Sequence, residues 1–163
     1  MPLRLLIADD NATARQLLRA LLETREGWQV CGEATTGVEV VAKSAELNPD
    51  IVILDLAMPL MDGMHAAQEI STACPTTPIL LYTMHSFAGL DVEAKKVGIR
   101  KVVSKTDTGN DLLTAIDELV SPATQPAPIA LKQAAAQAGP SIANGSTDAM
   151  ANPPETDPTS KLN

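Results

Sequence analysis

Five short apolar runs, each followed by a stretch with helical spacing, constrain this chain more than any other feature. Leu3 to Ala8, Gln29 to Glu33, Ile51 to Leu54, Ile79 to Tyr82 and Lys101 to Val103 read as strands. Between and after them lie five helical patterns. Ala12 to Thr24 carries Leu17, Leu18, Leu21 and Leu22 at helical spacing, and Gly37 to Leu47 places Val38, Val41, Ala42 and Ala45 on one face. Gly63 to Ala73 ends at Pro75, Gly89 to Val97 is stopped by Gly98, and Asp111 to Val120 is stopped by Pro122. Strands and helices that alternate through short connections predict an α/β fold. It is a doubly wound five-stranded parallel sheet with helices on both faces, because each crossover is right-handed.

The third run poses a question of its own. Ile51-Val52-Ile53-Leu54 stands between the turn signals Asn48-Pro49-Asp50 and Pro59, so it reads as a strand buried on both faces. Yet it ends in a carboxylate, Asp55. In parallel sheets ligands bind beyond the C-terminal ends of the strands, so the residues that follow each strand decide what Asp55 is for. Asp9 and Asp10 follow the first strand, Asp55 the third, Thr83 the fourth and Lys105 the fifth. The second strand ends in Glu33-Ala34-Thr35 and is peripheral.

Taken singly, each of these residues has an ordinary reading. Asp9-Asp10 can cap the first helix, Thr83 can bond to backbone at a strand end, and Lys105 can be a solvated charge. Converged on one sheet edge, they make a different site. Three carboxylates in one pocket repel one another unless a hard cation sits among them, and Mg²⁺ takes oxygen ligands while keeping waters that phosphate oxygens can replace. An ammonium and a hydroxyl beside them suit a phosphoryl group. A carboxylate nucleophile would then form an acyl phosphate.

Composition bounds the rest. The chain has 163 residues and a net charge of −8, which disfavours non-specific nucleic-acid binding and anionic membrane surfaces. No apolar run approaches the ~20 residues of a membrane span, and Leu3 to Ala8 ends at an acidic pair, so neither an anchor nor a signal peptide is expected and the expected location is cytoplasmic. Cys31 and Cys74 read as free thiols of a reducing compartment. Seven of the twelve prolines lie from Pro122 onward, and all three aromatics lie before it. Residues 1–121 are therefore expected to form one domain. Residues 122–163 are expected to be a disordered low-complexity tail with one transient helix around 129–138.

The runs "LLIADD", "DIVILDLAMPLMDG", "ILLYTMHS" and "VVSK" together resemble the receiver domain of two-component response regulators, over about residues 3–120. The stretch "YTMHS" is most similar to the NarL/FixJ-type subgroup. The resemblance implies a CheY-like fold with strand order 2-1-3-4-5. It implies Asp55 as phosphoacceptor, Asp10 as direct Mg²⁺ ligand, Asp9 acting mainly through water, and the Ala57 carbonyl as a further ligand. It implies Thr83 as the switch hydroxyl and Lys105 as the phosphate-binding amine, with Met58-Pro59 and Asp62-Gly63 shaping the loop after the third strand. The implied partner is a sensor histidine kinase or phosphotransfer protein.

Two positions depart from the family pattern. Val102 stands where receivers usually carry Tyr or Phe, and Thr106 stands where many carry a proline after the lysine. A haloacid-dehalogenase-type phosphatase would need a second Asp at Ala57. A dinucleotide site would need a glycine-rich turn where "ADDNATA" stands. With Val102 in place of the aromatic, a degenerate receiver that serves as a phosphorylation-independent docking module is the alternative. The tail carries only Lys132 and Lys161 as basic residues, so direct DNA binding is not expected. The expected output is protein–protein contact, through the face made by the fourth helix, fifth strand and fifth helix. The chain is not expected to be an enzyme beyond handling its own phosphoryl group.

Overall fold

A computed structural model of the chain describes residues 1–122; the expected tail, but for Pro122, lies outside the described residues. The strands are β1 (Leu3–Ala8), β2 (Trp28–Ala34), β3 (Ile51–Leu54), β4 (Ile79–Thr83) and β5 (Ile99–Ser104). The helices are α1 (Ala12–Leu22), α2 (Gly37–Leu47), α3 (Gly63–Ala73), α4 (Leu90–Lys96) and α5 (Gly109–Val120). All pairings are parallel, in the order β2-β1-β3-β4-β5. The fold is the doubly wound α/β sheet that the alternation predicts.

The period of two along each strand divides the core into two layers. Leu6, Ala8, Val52, Leu54, Ile79, Leu81 and Ile99 point to the side of α2, α3 and α4. Leu5, Ile7, Ile51, Ile53, Leu80 and Val103 point to the side of α1 and α5. β3 lies at the centre and is buried on both faces, which is why its sequence does not alternate. Among the described residues no helix is long and apolar enough to cross a membrane.

Three details differ from the sequence reading. On α2 the packed face is Gly37, Val40 and Ser44, while Val38 and the flank of Ala42 and Ala45 are exposed. Four small or β-branched residues mimic an apolar stripe there, and the large side chains at Val40 and Leu47 decide which side is buried. α1 stops at Leu22 rather than Thr24, because the Thr24 and Arg25 amides bond three residues back and tighten the last turn. β5 runs from Ile99 to Ser104, longer than its apolar stretch. It is an edge strand, and Arg100 and Lys101 sit on it as edge strands allow.

Candidate functional site

The order of strands reverses direction between β1 and β3, and a crevice opens beyond their C-terminal ends. The local backbone aims each side chain into it. The Asp55 amide donates to the Ala8 carbonyl at 2.8 Å, so Asp55 leaves β3 beside the end of β1. The Lys105 amide donates to the Thr83 carbonyl at 2.9 Å, which ties the end of β5 to the end of β4.

Asp9, Asp10 and Asp55 each offer a carboxylate oxygen, and these oxygens lie within 4.8 Å of one another. Asp9 and Asp55 are buried, at 2 % and 7 % exposure, and Asp10 is exposed. The Lys105 ammonium donates to Asp9 Oδ2 at 2.5 Å and lies 3.2 Å from Asp55 Oδ2. Burial alone would push the Lys105 pKa down, but the hydrogen bond it donates to Asp9 and the charges of Asp55 and Asp9 outweigh it and hold the amine above its ordinary value. Asp55 Oδ1 accepts from the Leu56 amide at 2.8 Å, and Asp9 Oδ1 accepts from the Asn11 amide at 2.8 Å. Thr83 is buried, and its Oγ1 accepts the His85 amide at 3.1 Å, which leaves its own O–H free to donate. Ala57 is exposed in the loop two residues past Asp55.

Three carboxylates against one ammonium leave the crevice short of positive charge. Every donor is a hard oxygen, and Asp10 opens to solvent. That donor set fits a divalent cation of the Mg²⁺ kind. The loop beyond β3 is tightly built around it. Gly63 donates to the Leu56 carbonyl at 2.9 Å, and a side chain at Gly63 would overlap the Asp55 carbonyl oxygen, so the position requires glycine. Asp62 caps α3 by accepting from the His65 amide at 2.9 Å, and His65 itself is a surface residue paired with Asp62. The Lys105–Thr106 peptide is trans, as are all described peptide bonds.

The residue types expected at the site are thus brought to one edge, Asp9, Asp10, Asp55, Thr83 and Lys105 together. Two neighbours make contacts that were not foreseen. Arg15 Nη1 donates to the Asp9 carbonyl at 2.8 Å, while its Nε donates to Glu33 Oε2 at 3.1 Å. Arg19 also pairs with Glu33, at 2.6 Å. Burial would raise the Glu33 pKa, but these hydrogen bonds and charges outweigh it and lower it. The only signal in the sequence was the spacing of Arg15 and Arg19, four apart on one helical face. The second neighbour is Tyr82, whose ring centroid lies 6.0 Å from the Lys105 ammonium.

Comparison with known proteins agrees with this geometry. Residues 5–117 match the model of the response regulator receiver domain family. The chain is 35 % identical over 116 residues to a chemotaxis protein CheY of Thermotoga maritima, covering 71 % of this chain and 96 % of that protein. It is 35 % identical over 120 residues to a protein-glutamate methylesterase/protein-glutamine glutaminase of Methanosarcina mazei, covering 72 % of this chain but only 33 % of that longer protein. A crystal structure of a LuxR-family two-component response regulator from Aurantimonas superposes with a TM-score of 0.71 at 29 % identity, covering 76 % of this chain and 93 % of that one. The sheet order, the acidic edge and these matches together place the chain in the response regulator receiver domain family.

Proposed function

We propose that Asp55 accepts a phosphoryl group from a phosphohistidine of a sensor kinase or phosphotransfer protein, in the cytoplasm. The observation that carries this reading is the placement of Asp55. Its carboxylate directly follows the fully buried central strand β3, 3.2 Å from an ammonium and within 4.8 Å of two further carboxylates. In the transfer, the P–N bond of the phosphohistidine breaks, a P–O bond to an Asp55 oxygen forms, and the imidazole nitrogen retains the electron pair. Lys105 is placed to pair with a phosphoryl oxygen on Asp55, and the free Thr83 hydroxyl is placed to donate to another. Asp9, Asp10, Asp55 and the Ala57 carbonyl would hold Mg²⁺, which when bound supplies positive charge to the transferring phosphoryl group. The signal then passes by protein contact on the face of α4, β5 and α5, where α4 carries Asp91, Glu93, Lys95 and Lys96.

The test is phosphoryl uptake from acetyl phosphate, read by intact mass. The expected result is a gain of one phosphoryl group that needs Mg²⁺ and is lost in Asp55→Asn. Failure of the wild-type protein to gain mass under any condition would overturn the proposal and leave a receiver fold used only for docking.

A further inference from the structure

The place that receivers reserve for an aromatic ring is taken here by Val102, which packs on the α3 and α4 side of the sheet. The chain has one tyrosine, and it is elsewhere. Strand register gives Leu81 opposite Val102 and Tyr82 opposite Val103, so Tyr82 and Val102 point to opposite faces. Tyr82 packs with the α1 and α5 layer. Lys105, two residues past Val103, shares that face at the sheet edge. The Lys105 stem therefore leaves β5 along the Tyr82 ring, with the ammonium 6.0 Å from the ring centroid and its hydrogen bonds on Asp9 and Asp55. A groove of about 220 Å³ is lined by these two residues together with Ala14, Leu17, Leu18 and Leu21 of α1. Leu17 is 67 % exposed there, so the ring stands between the acidic crevice and an open apolar groove.

The geometry points to Tyr82 as the positioning residue for Lys105, whose ring fixes the lysine stem over the crevice and moves when the ammonium is drawn onto a phosphoryl group at Asp55. The inference rests on the phosphoryl-acceptor function proposed above. The physical reason is that Lys105 serves two partners. In the resting site its ammonium is shared between Asp9 and Asp55. A phosphoryl group on Asp55 presents oxygens farther from the sheet, and following them swings the lysine about its stem. A cation above an aromatic face is held by the ring quadrupole without a fixed hydrogen-bond direction. The ring therefore guides the stem through the swing where a second hydrogen bond would pin it. The aromatic then changes position on the α1 side of the sheet, opposite the side Val102 occupies.

Because Tyr82 is the sole tyrosine, full-length protein labelled with 3-fluorotyrosine gives a single ¹⁹F resonance. The experiment records it before and after acetyl phosphate with Mg²⁺, with phosphoryl occupancy read by intact mass. The expected result is a shift that tracks occupancy and is absent in Asp55→Asn. Alongside, Tyr82→Phe, which keeps the ring, takes up phosphate at the wild-type rate. Tyr82→Leu is slower by about two- to fivefold at saturating Mg²⁺, the size of one ring–ammonium contact, with an unchanged circular dichroism spectrum. Full occupancy with an unmoved resonance overturns the proposal while the function stands. If Tyr82→Leu fails to fold, the resonance of the labelled wild-type protein decides alone. No mass gain in the wild-type protein overturns the proposed function itself, and this inference with it.

Discussion

Single residues around the crevice show where backbone conformation has been put to use. Leu60, five residues past Asp55, has φ of 67° and is 86 % exposed. A branched side chain in the left-handed region costs roughly 1–2 kcal/mol, and a side chain this exposed recovers almost none of it by burial. Leu60→Asn is therefore expected to stabilise the protein by about 1 kcal/mol, since Asn tolerates that region. Urea unfolding checks it: the midpoint should rise with the slope unchanged, and a fall in the midpoint would show that the Leu60 side chain has a packing role. Asn48, also at positive φ, ends α2 in the usual way, and Arg4 Nη1 donates to the Leu47 and Asn48 carbonyls left unpaired there.

At the scale of elements, helix starts are secured by side chains that the sequence shows plainly. Thr36 caps α2 by accepting from the Glu39 amide, Asp62 caps α3, and Thr108 and Asp111 form a reciprocal capping box on α5. Glu39 also reaches back to the Thr35 amide at 2.7 Å and pairs with Lys43 one turn on at 2.6 Å. The Lys43 hydrogen bond, followed by the Thr35 amide, lowers its pKa from the ordinary 4.5 to about 2. A depressed carboxyl stabilises the fold above its unfolded value and loses that contribution as pH falls through the folded one. The contribution of α2 to stability should therefore decline between about pH 4.5 and pH 2. Glu39→Gln is expected to flatten the pH dependence of thermal unfolding in that window. An unchanged profile in the variant would assign the acid sensitivity to other carboxylates. Glu39 is partly exposed, so the effect is modest and falls with added salt.

For the whole molecule the governing fact is an excess of negative charge, −8 overall, with three carboxylates gathered at one edge of the sheet. Lys105 is the cation that holds that edge together, because it spans Asp9 and Asp55. Removing one partner of a buried ion pair costs about 3–5 kcal/mol when the pair is fully enclosed. Here Asp10 opens the crevice to water, so Lys105→Met should cost roughly 2 kcal/mol in chelator. A bound divalent cation supplies the missing charge, and a ligand at a hundredfold its dissociation constant stabilises by about 2.7 kcal/mol. Adding Mg²⁺ should thus raise the melting temperature of the wild-type protein and raise that of Lys105→Met by more, narrowing the gap between them. Equal shifts in both proteins would mean that Lys105 and the cation do not share the same carboxylates.

The sequence by itself determined the alternation of strands and helices, the central position of β3 and the residues at the strand ends. Those properties are local or periodic: an Ile-Val-Ile-Leu run between turn signals reads as a strand covered on both sides, and right-handed crossovers then leave few topologies. The motif also carried the family and the site residue types. Only the tertiary structure decided which face of α2 is buried, because Val38, Val41, Ala42 and Ala45 match an apolar stripe as well as Gly37, Val40 and Ser44 do, and contact with neighbouring elements breaks the tie. Only it joined Arg15 to Glu33 and Asp9, and Tyr82 to Lys105. Those pairs are 18, 6 and 23 residues apart and join different elements, so their spacing along the chain does not show that packing brings them together.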